Sequence, residues 1–206
     1  GSFGSVSQSK RELAAEVASV LAFSAVGNRD KVGLLLFTDG IELFLPPQKG
    51  RSQVLRIIRE VLYFQPQGRK TDLAAALEYL NKVVTRRAVV FLVSDFQAPD
   101  FSRALSAASQ RHDLVAVPVV DPLEEELPDI GRVSLEDAET GAIYEVNTSD
   151  RRVRTAFANA VSTRRQQLAA LLRQNRVDAI TLRTDADYLP ALRAFFQQRE
   201  RRIARR

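Results

Sequence analysis

The chain has 206 residues, of which 45% are hydrophobic and 27% charged, and these values are typical of a globular protein with its own hydrophobic core. It has no cysteine and one histidine, His112, so disulfides, thiolate metal sites and cysteine nucleophiles are excluded, and zinc sites and Ser-His-Asp triads are disfavoured. The net charge of +5 is unevenly distributed, since the segment from Asp150 onward contains 14 arginines and five acidic residues. This basic segment is compatible with a nucleic-acid partner. However, no aromatic residues alternate with the arginines, as binding of single strands would require.

Targeting signals are not visible in the sequence. No stretch approaches the roughly 18 consecutive apolar residues of a membrane-spanning helix, and no secretory signal pattern opens the chain. The chain starts with Gly1-Ser2 and contains no methionine, which is typical of a segment taken from a longer protein. We therefore expect residues 1–206 to form one soluble domain in the cytoplasm, with membrane attachment only through segments upstream of this sequence.

The first predicted element is a helix. Ser9 and Glu12 have the spacing of a capping box, in which each residue satisfies a backbone N–H group of the other. The residues that follow predict a helix to about Val26, with Gly27 in the left-handed position at its C-terminal end. Most of these residues are small or apolar, so we expect the helix to be buried over much of its surface.

A hairpin is predicted next. The apolar run at 31–38 has the length of a strand, Asp39-Gly40 is typical of a two-residue turn, and the segment at 41–45 returns antiparallel to the first. Pro46 and Pro47 follow at once. Because proline has no N–H group to donate, they predict that the second strand ends there, at the edge of a sheet.

Strands and helices alternate through the remainder. Helices are predicted at 51–62, 71–84, 103–111, 151–175 and 187–202, strands at 88–94, 114–120 and 177–182, and a small hairpin at 132–136 and 143–146. The continuous apolar runs at 88–94 and 114–120 predict burial on both faces. We predict an α/β fold with a doubly wound, mostly parallel sheet that includes the strand at 31–38, one antiparallel edge strand and the small extra hairpin.

Polar side chains gather at the predicted carboxyl ends of the strands, where open α/β sheets bind their ligands. Asp95 and Asp121 each follow an apolar strand, Thr184-Asp185 follows the last one, and Thr71-Asp72 opens a helix at the same rim. A set of carboxylates and hydroxyls without histidine or cysteine suits a hard cation such as Mg²⁺, Mn²⁺ or Ca²⁺.

Structural roles compete with metal binding at these positions. Thr71 is a good helix N-cap, Asp121 can open a turn, and Thr184-Asp185 can cap the last helix. His112 opens a strand and is interpreted as structural. Asp95 stays open between ligand and structural acceptor, because a carboxylate that ends an apolar strand is costly to desolvate without a partner.

Several stretches together resemble the bacterial DUF58 family, whose C-terminal part is a von Willebrand factor A-like domain. The resemblance covers nearly the whole chain in the same order, and it implies that fold here. The segments that carry it are KRELAAEVASVLAFSAVGNRDKVGLLLFTDGIELFLPPQKG, RKTDLAAALEYL, VVFLVSDF, RHDLVAVPVVDPLEEELPD and LRTDADYLPALRAFF.

The resemblance implies a metal-ion-dependent adhesion site of three parts, two of which match this sequence. The threonine of the second loop matches Thr71 and the aspartate after the fourth strand matches Asp95, and Asp72 would support these ligands without binding the ion itself. The first part, Asp-x-Ser-x-Ser, is absent, and in the family it lies just upstream of the residues that stand here as Phe3-Gly4-Ser5. Mg²⁺ is the implied cofactor of the intact site, but Thr71 and Asp95 alone are too few ligands to hold it tightly.

The missing part would also supply a strand at the centre of the sheet. Without it, the strands at 31–38 and 88–94 lack a shared partner and present unpaired backbone edges. We expect these strands to pair directly, to be bridged by a segment of another molecule as in a swapped dimer, or to be joined by upstream residues.

Three functions are compatible with these features. The resemblance favours a non-catalytic adaptor that binds protein partners, since DUF58 proteins are thought to work with MoxR-type AAA+ ATPases and a client. An alternative is a metal-dependent phosphoester or phosphoryl-transfer enzyme, with Asp95 and Asp72 as its acids and Arg69 and Lys70 as a phosphate clamp. A second alternative is nucleic-acid binding by the arginine-rich last third. We expect the adaptor, without catalysis and without nucleic acid.

Overall fold

The computed structural model describes residues 9–27, 29–68, 70–136 and 143–204. None of the helices in these ranges is long and apolar enough to cross a membrane. The elements in chain order are α1 (Lys10–Gly27), β1 (Val32–Phe37), β2 (Ile41–Gln48), α2 (Arg51–Tyr63), α3 (Leu73–Val83), β3 (Val89–Ser94), α4 (Ser102–Arg111), β4 (Asp113–Val120), β5 (Arg132–Glu136), β6 (Ile143–Asn147), α5 (Arg151–Gln174), β7 (Asp178–Ala179), β8 (Leu182–Arg183) and α6 (Leu189–Ala204).

The main sheet is parallel and is organised around β4. β3 pairs with one edge of β4 along its whole length, and β7 and β8 pair in parallel with the other edge. The predicted parallel arrangement of these strands is therefore confirmed. The last strand, predicted as continuous over 177–182, is interrupted at Ile180, whose side chain is buried in the core beneath α1 and α6.

Helices cover both faces of the parallel sheet. Leu114 and Ala116 of β4 face a cluster built with α3 and α4. The alternate residues Val115 and Val117 face a second cluster built with α1 and α6. Side chains of a strand alternate between its faces, so the continuous apolar run of β4 is explained by this double cover. The fold is a mixed α/β arrangement with a parallel sheet and additional antiparallel strands.

The β1–β2 hairpin is a separate two-stranded antiparallel sheet among the described residues. α1 and α2 pack on one of its faces, where Leu45 is buried with Ile57. On the other face, the ring of Phe44 meets Tyr79 of α3 edge to face, with ring centroids 5.8 Å apart. The hairpin is thus covered by helices on both sides.

A gap in backbone pairing separates β1 from β3. Helix α3 contacts both strands, since it packs against β1 and β2 and also shares a core cluster with β3. Within the described ranges, however, β1 pairs only with β2, and β3 only with β4. The expectation that β1 joins the parallel sheet is therefore wrong for these residues, and so is the direct pairing of β1 with β3.

Burial along β3 reflects this missing neighbour. Only Leu92 of β3 is fully buried and Val89 is 56% exposed, although the sequence predicts burial on both faces. Residues 114–119 of β4, with a similar apolar composition, are all buried. The difference lies in the neighbours, because β4 is paired along both edges and β3 along one.

The start of α1 forms the predicted capping box. The Ser9 backbone N–H donates to Glu12 Oε2 at 2.9 Å, and the Glu12 N–H donates to Ser9 Oγ at 3.2 Å. The Ser9 hydroxyl also donates to Glu12 Oε2 at 2.9 Å. The bonds that the carboxylate accepts from the Ser9 backbone N–H and hydroxyl lower the pKa of Glu12 below its ordinary value. Burial of the helix is one-sided: Leu13 and Val17 are in the core, whereas Phe23 is 61% exposed.

Two local predictions for the hairpin are wrong. Phe37 pairs with Ile41, so the turn has three residues, 38–40, rather than the two of Asp39-Gly40. β2 also continues through Pro46 and Pro47 instead of ending before them. The strand tolerates these prolines because the ladder is irregular there, and because an edge strand does not need every N–H group.

Candidate functional site

Asp95 ends β3 at the carboxyl rim of the parallel sheet. One of its oxygens, Oδ1, accepts a hydrogen bond from the backbone N–H of Gln97 at 3.1 Å. The residue between them, Phe96, is 6% exposed and has φ of 57°, a left-handed conformation that is unfavourable for a bulky side chain. Backbone of this kind is concentrated at functional positions, and here it turns the chain directly after the candidate ligand.

The second oxygen of Asp95 is engaged by Lys10. The Lys10 ammonium lies 3.2 Å from Asp95 Oδ2, and 2.6 and 2.9 Å from the two carboxylate oxygens of Glu124. Burial works against the charge of Lys10, but the hydrogen bond to Glu124 and the charges of both carboxylates raise the pKa of Lys10 above its ordinary value. The ammonium therefore bridges the ends of β3 and β4.

A second ion pair network lies beside the first. Arg183, at the end of β8, binds Glu125 and Asp185, and these hydrogen bonds raise the pKa of its guanidinium. Arg165 of α5 reaches the other oxygen of Glu125 at 2.5 Å. α5 is thereby held against the rim, although Leu172 is its only fully buried residue.

Thr71 and Asp72 stand on a loop that is tied to the end of β1. The Asp72 N–H donates to Thr38 O at 2.7 Å, and the carboxylate of Glu42 accepts from Thr38 Oγ1 at 2.6 Å. The same carboxylate accepts from the backbone N–H of Gly68 at 3.1 Å. These bonds, with that of Thr38 first among them, hold the pKa of Glu42 below its ordinary value.

The N-cap of α3 is Asp72 and not Thr71. The Asp72 carboxylate accepts from the Ala75 N–H at 2.8 Å, so the predicted capping role of Thr71 is wrong by one residue. Leu73 belongs to the same core cluster as Phe96. Thr71 and Asp95 therefore each lie near a residue of this cluster, and that the two form one site stays a prediction.

The other two strand ends have structural partners. Asp121 accepts from the Leu123 N–H at 2.9 Å and opens a 3-10 turn at Pro122–Glu124, in line with its predicted role in a turn. Its second oxygen accepts from the hydroxyl of Thr184 at 3.2 Å. At the start of α6, the Asp187 carboxylate accepts a hydrogen bond from the Leu189 N–H at 2.9 Å. The prediction that Thr184-Asp185 caps this helix is therefore wrong.

The described residues do not by themselves fit a divalent cation. They contain no group of three or more His, Cys, Asp or Glu side chains placed to hold a metal ion. The free oxygen of Asp95 faces an ammonium rather than further carboxylates. A tightly bound Mg²⁺ requires several oxygen ligands in octahedral geometry, and the rim of this chain supplies paired charges instead.

Sequence reasoning missed Lys10 and Glu124. A sequence signal for Lys10 exists, because it is the first residue of α1, where the helix dipole disfavours a cation. A lysine at that position therefore needs an anion nearby. The partner could not be named in advance, since Asp95 and Glu124 lie 85 and 114 residues further along the chain.

His112 lies away from this rim, at the end of α4 and before β4. It is 1% exposed, and neither ring nitrogen has a hydrogen-bond partner in the described part of the chain. Burial, together with the positive charges of Arg111 and Arg87, lowers the pKa of its imidazole. The predicted structural role of His112 suits this neutral, enclosed setting.

Mycobacterial proteins are similar to this chain over most of its length. Uncharacterized proteins of Mycobacterium tuberculosis and Mycobacterium bovis are 33% identical over 202 residues, which cover 97% of this chain and 63% of their own length. The chain therefore spans less than two thirds of these relatives. An uncharacterized protein of Mycobacterium avium is 36% identical over 160 residues, which cover 76% of this chain and 94% of the relative.

Solved structures resemble the fold. The conserved hypothetical protein BatB from Bacteroides thetaiotaomicron superposes with a TM-score of 0.55 at 15% identity, over 95% of this chain and 89% of its own. An aerotolerance-related membrane protein from Bacteroides fragilis gives a TM-score of 0.50 at 18% identity, over 89% and 86% of the two chains. The family described as "Protein of unknown function DUF58" matches residues 1–167, and the chain belongs to that family.

Proposed function

We propose that the chain is a non-catalytic protein-binding module whose binding surface is the carboxyl rim of β3 and β4. The observation that carries the proposal is that acidic side chains at this rim are paired with cations of the same chain. Asp95 and Glu124 share the Lys10 ammonium, and Glu125 is held by two arginines. Acids neutralised by their own cations are poorly suited to act as nucleophiles or bases, but they form a rigid polar surface around which a partner can bind.

Apolar surface accompanies these charges. Leu123, in the turn that follows β4, is 69% exposed beside Asp121 and Glu124. Protein interfaces combine apolar side chains with a surrounding polar rim. This pairing supports protein binding over small-molecule chemistry at the rim.

The fold that we propose for the longer protein is von Willebrand factor A-like. Helices on both faces of the parallel sheet support this, and so does the lack of backbone pairing between β1 and β3 among the described residues. We place the absent Asp-x-Ser-x-Ser strand in that gap. In the longer protein its side chains would join Thr71 and Asp95 to complete a site for Mg²⁺, whose role would be to bind a carboxylate of the partner.

The partner that we propose is a MoxR-type AAA+ ATPase, and this step rests on family resemblance alone. Nucleic acid is a poorer candidate because several arginines of the basic last third already have acidic partners. The pairs are Arg154 with Asp129, Arg165 with Glu125, Arg183 with Asp185, Arg199 with Asp113, and Arg202 with Asp178.

The test is a binding measurement between the immobilised chain and a purified MoxR-type ATPase, by biolayer interferometry. Leu123→Glu places a charge on the proposed surface and should weaken binding by at least tenfold. Val89→Glu is the matched control, since Val89 is 56% exposed at the amino end of β3, the opposite end of the sheet. Binding that both variants retain would move the interface elsewhere, and no binding by the chain or the longer protein would refute the ATPase as partner.

A further inference from the structure

One exposed stripe of α6 combines apolar and charged side chains. It consists of Leu189, Arg193, Phe196 and Glu200, whose spacing of four, three and four residues places them in one line along the helix. Leu189 is 39% exposed and Phe196 37% exposed, and both charged residues are exposed as well. The neighbouring face of α6 is anchored in the core through Leu192. The stripe is therefore held in place at the surface.

An open groove separates the stripe from α1. Its α1 wall is built by Val20, Leu21 and Ser24, and its α6 wall includes all four residues of the stripe. Val20 is 39% exposed, and Phe23, one turn further along α1, is 61% exposed. The apolar surface of α6 thus continues onto α1. Apolar surface that is bordered by charged residues is typical of a site that binds another molecule.

The two charges of the stripe indicate which partner fits it. Arg193 and Glu200 lie on either side of Phe196, seven residues and roughly 10 Å apart along the helix axis. When a second copy of α6 runs antiparallel, with a two-fold axis between Phe196 and Gln197, Arg193 of each copy faces Glu200 of the other. One surface then supplies both halves of two ion pairs, as a two-fold interface requires. The two Phe196 rings come together beside the axis.

We propose that the α6 stripe and the groove beside it are the interface of a symmetric dimer of this chain. Arg199 and Arg202 of the same helix are paired with acids of β4 and β7, whereas Arg193 and Glu200 form no ion pair within the described ranges. A parallel arrangement would bring like charges together, so the charges select the antiparallel one. Only a few partly exposed apolar side chains are buried, so the dimer is weak and depends on concentration. This inference is independent of the proposed function.

The experiment is sedimentation velocity of the chain between about 5 and 500 µM, where a monomer should give way to a dimer as the concentration rises. Arg193→Glu alone and Glu200→Arg alone each turn both ion pairs into like-charge contacts, and each should weaken the dimer by about tenfold or more. Arg173→Glu is the matched control, since Arg173 is exposed in the last turn of α5. That helix packs with α3 and α4 on the other face of the sheet, so dimerisation should stay within about twofold.

An equimolar mixture of the two single variants tests the symmetry directly. Arg193→Glu has acids at both positions and Glu200→Arg has arginines at both, so the mixed dimer regains two ion pairs and should form about as tightly as that of the unaltered chain. A mixture that stays monomeric refutes the inference, and so does a dimer that neither variant weakens, such as one formed by strand exchange. A chain that is monomeric at about 500 µM also refutes it, whether or not the stripe binds another protein or anionic vesicles. Circular dichroism melting of each variant shows that it is folded.

Discussion

At the scale of single residues, the loop before α3 shows that only one of two neighbouring polar residues caps the helix. The Asp72 carboxylate caps the helix, so it satisfies a backbone N–H group that would otherwise have no partner. Thr71, one residue earlier, is not used for the cap. A threonine and an aspartate are both good N-caps, and the sequence alone does not distinguish which of the two the helix uses.

Alanine substitutions at these two positions should therefore lower the free energy of unfolding by different amounts. Asp72→Ala should lower the free energy of unfolding by about 1 kcal/mol, the usual cost of losing an N-cap. Thr71→Ala should cost less than half as much, because the cap stays in place. Urea unfolding of the two variants, followed by circular dichroism, measures the difference. Equal losses, or a larger loss for Thr71→Ala, would show that the cap is assigned to the wrong residue.

His112 predicts a dependence of stability on pH. Its imidazole is buried and has a lowered pKa in the folded chain, chiefly through desolvation. The unfolded chain therefore takes up the proton first, so stability is fully present above about pH 6.5, the ordinary value, and is lost as the pH falls below it. Urea unfolding at pH 7.5, 6.5 and 5.5 should show this decline.

The control for this prediction is His112→Leu, which fills a similar volume without a titrating group. Because His112 is the only histidine of the chain, the variant should lose much of the decline between pH 6.5 and 5.5. If the unaltered chain and His112→Leu decline in parallel, groups other than His112 control stability in this range.

Residue identities at the rim were partly predictable. Asp95 is conspicuous in the sequence because it is a carboxylate at the end of an apolar strand. The structure places it in an ion pair with Lys10, and its role as a metal ligand stays a prediction. Its partner Lys10 was not found, because the contact joins residues 85 positions apart. Local patterns report caps and turns well, whereas ion pairs between distant elements depend on the packing of those elements.

At the scale of elements, the loop that carries Thr71 is held by close contact with the hairpin turn. A Cβ atom added at Gly68 would lie 2.1 Å from Asp39 Oδ1 and 2.4 Å from Thr38 Oγ1. The Asp39 side chain is at the surface and can turn away. Thr38 cannot turn without losing its 2.6 Å hydrogen bond to Glu42, so the loop itself would have to move.

Gly68→Ala should therefore destabilise the chain by roughly 1–3 kcal/mol, the usual range for overpacking a close contact. Gly40→Ala, in the hairpin turn that Gly68 contacts, is the matched control. Its added Cβ would meet nothing within 4 Å, and its cost should stay below about 0.5 kcal/mol. Thermal and urea unfolding of the pair provide the comparison, and similar losses would mean that the loop accommodates a side chain at Gly68.

The strands show the limit of predicting burial from composition. VVFLVS of β3 and LVAVPVV of β4 are both continuous apolar runs, and both predict burial on two faces. β4 meets the prediction and β3 does not, since β3 has a paired neighbour on one edge only. The apolar composition of a strand indicates how it is buried when all its neighbouring strands are present. It does not indicate whether those neighbours belong to the same chain.

At the scale of the whole molecule, the alternation of strands and helices predicted the layers correctly. α3 and α4 cover one face of the parallel sheet and α1 and α6 the other, because the apolar faces of the sheet and of the helices must be buried against each other. The placement of the hairpin was less predictable. It packs beside the parallel sheet through shared helices, and its first strand does not join that sheet by backbone hydrogen bonds.

This arrangement predicts a particular pattern of amide hydrogen exchange. In a parallel pair, alternate residues of a strand direct their N–H groups to the same side, so about half of the amides of β3 face the gap. These should exchange on the order of a hundredfold faster than those of β4, which has paired neighbours on both edges. Exchange measured by NMR on residues 1–206 at low protein concentration tests the difference.

A longer protein, extended by the strand that we propose to precede this chain, provides the second half of the test. If an upstream strand enters the gap, the exposed amides of β1 and β3 should become as well protected as those of β4, and the melting temperature should rise. A swapped dimer would produce the same protection in residues 1–206, but only as the concentration increases, because the missing partner then comes from another molecule. Equal protection of β3 and β4 in a monomer of residues 1–206 would mean that the gap is already closed. Fast exchange of β3 that persists in the longer protein would mean that upstream residues do not fill it.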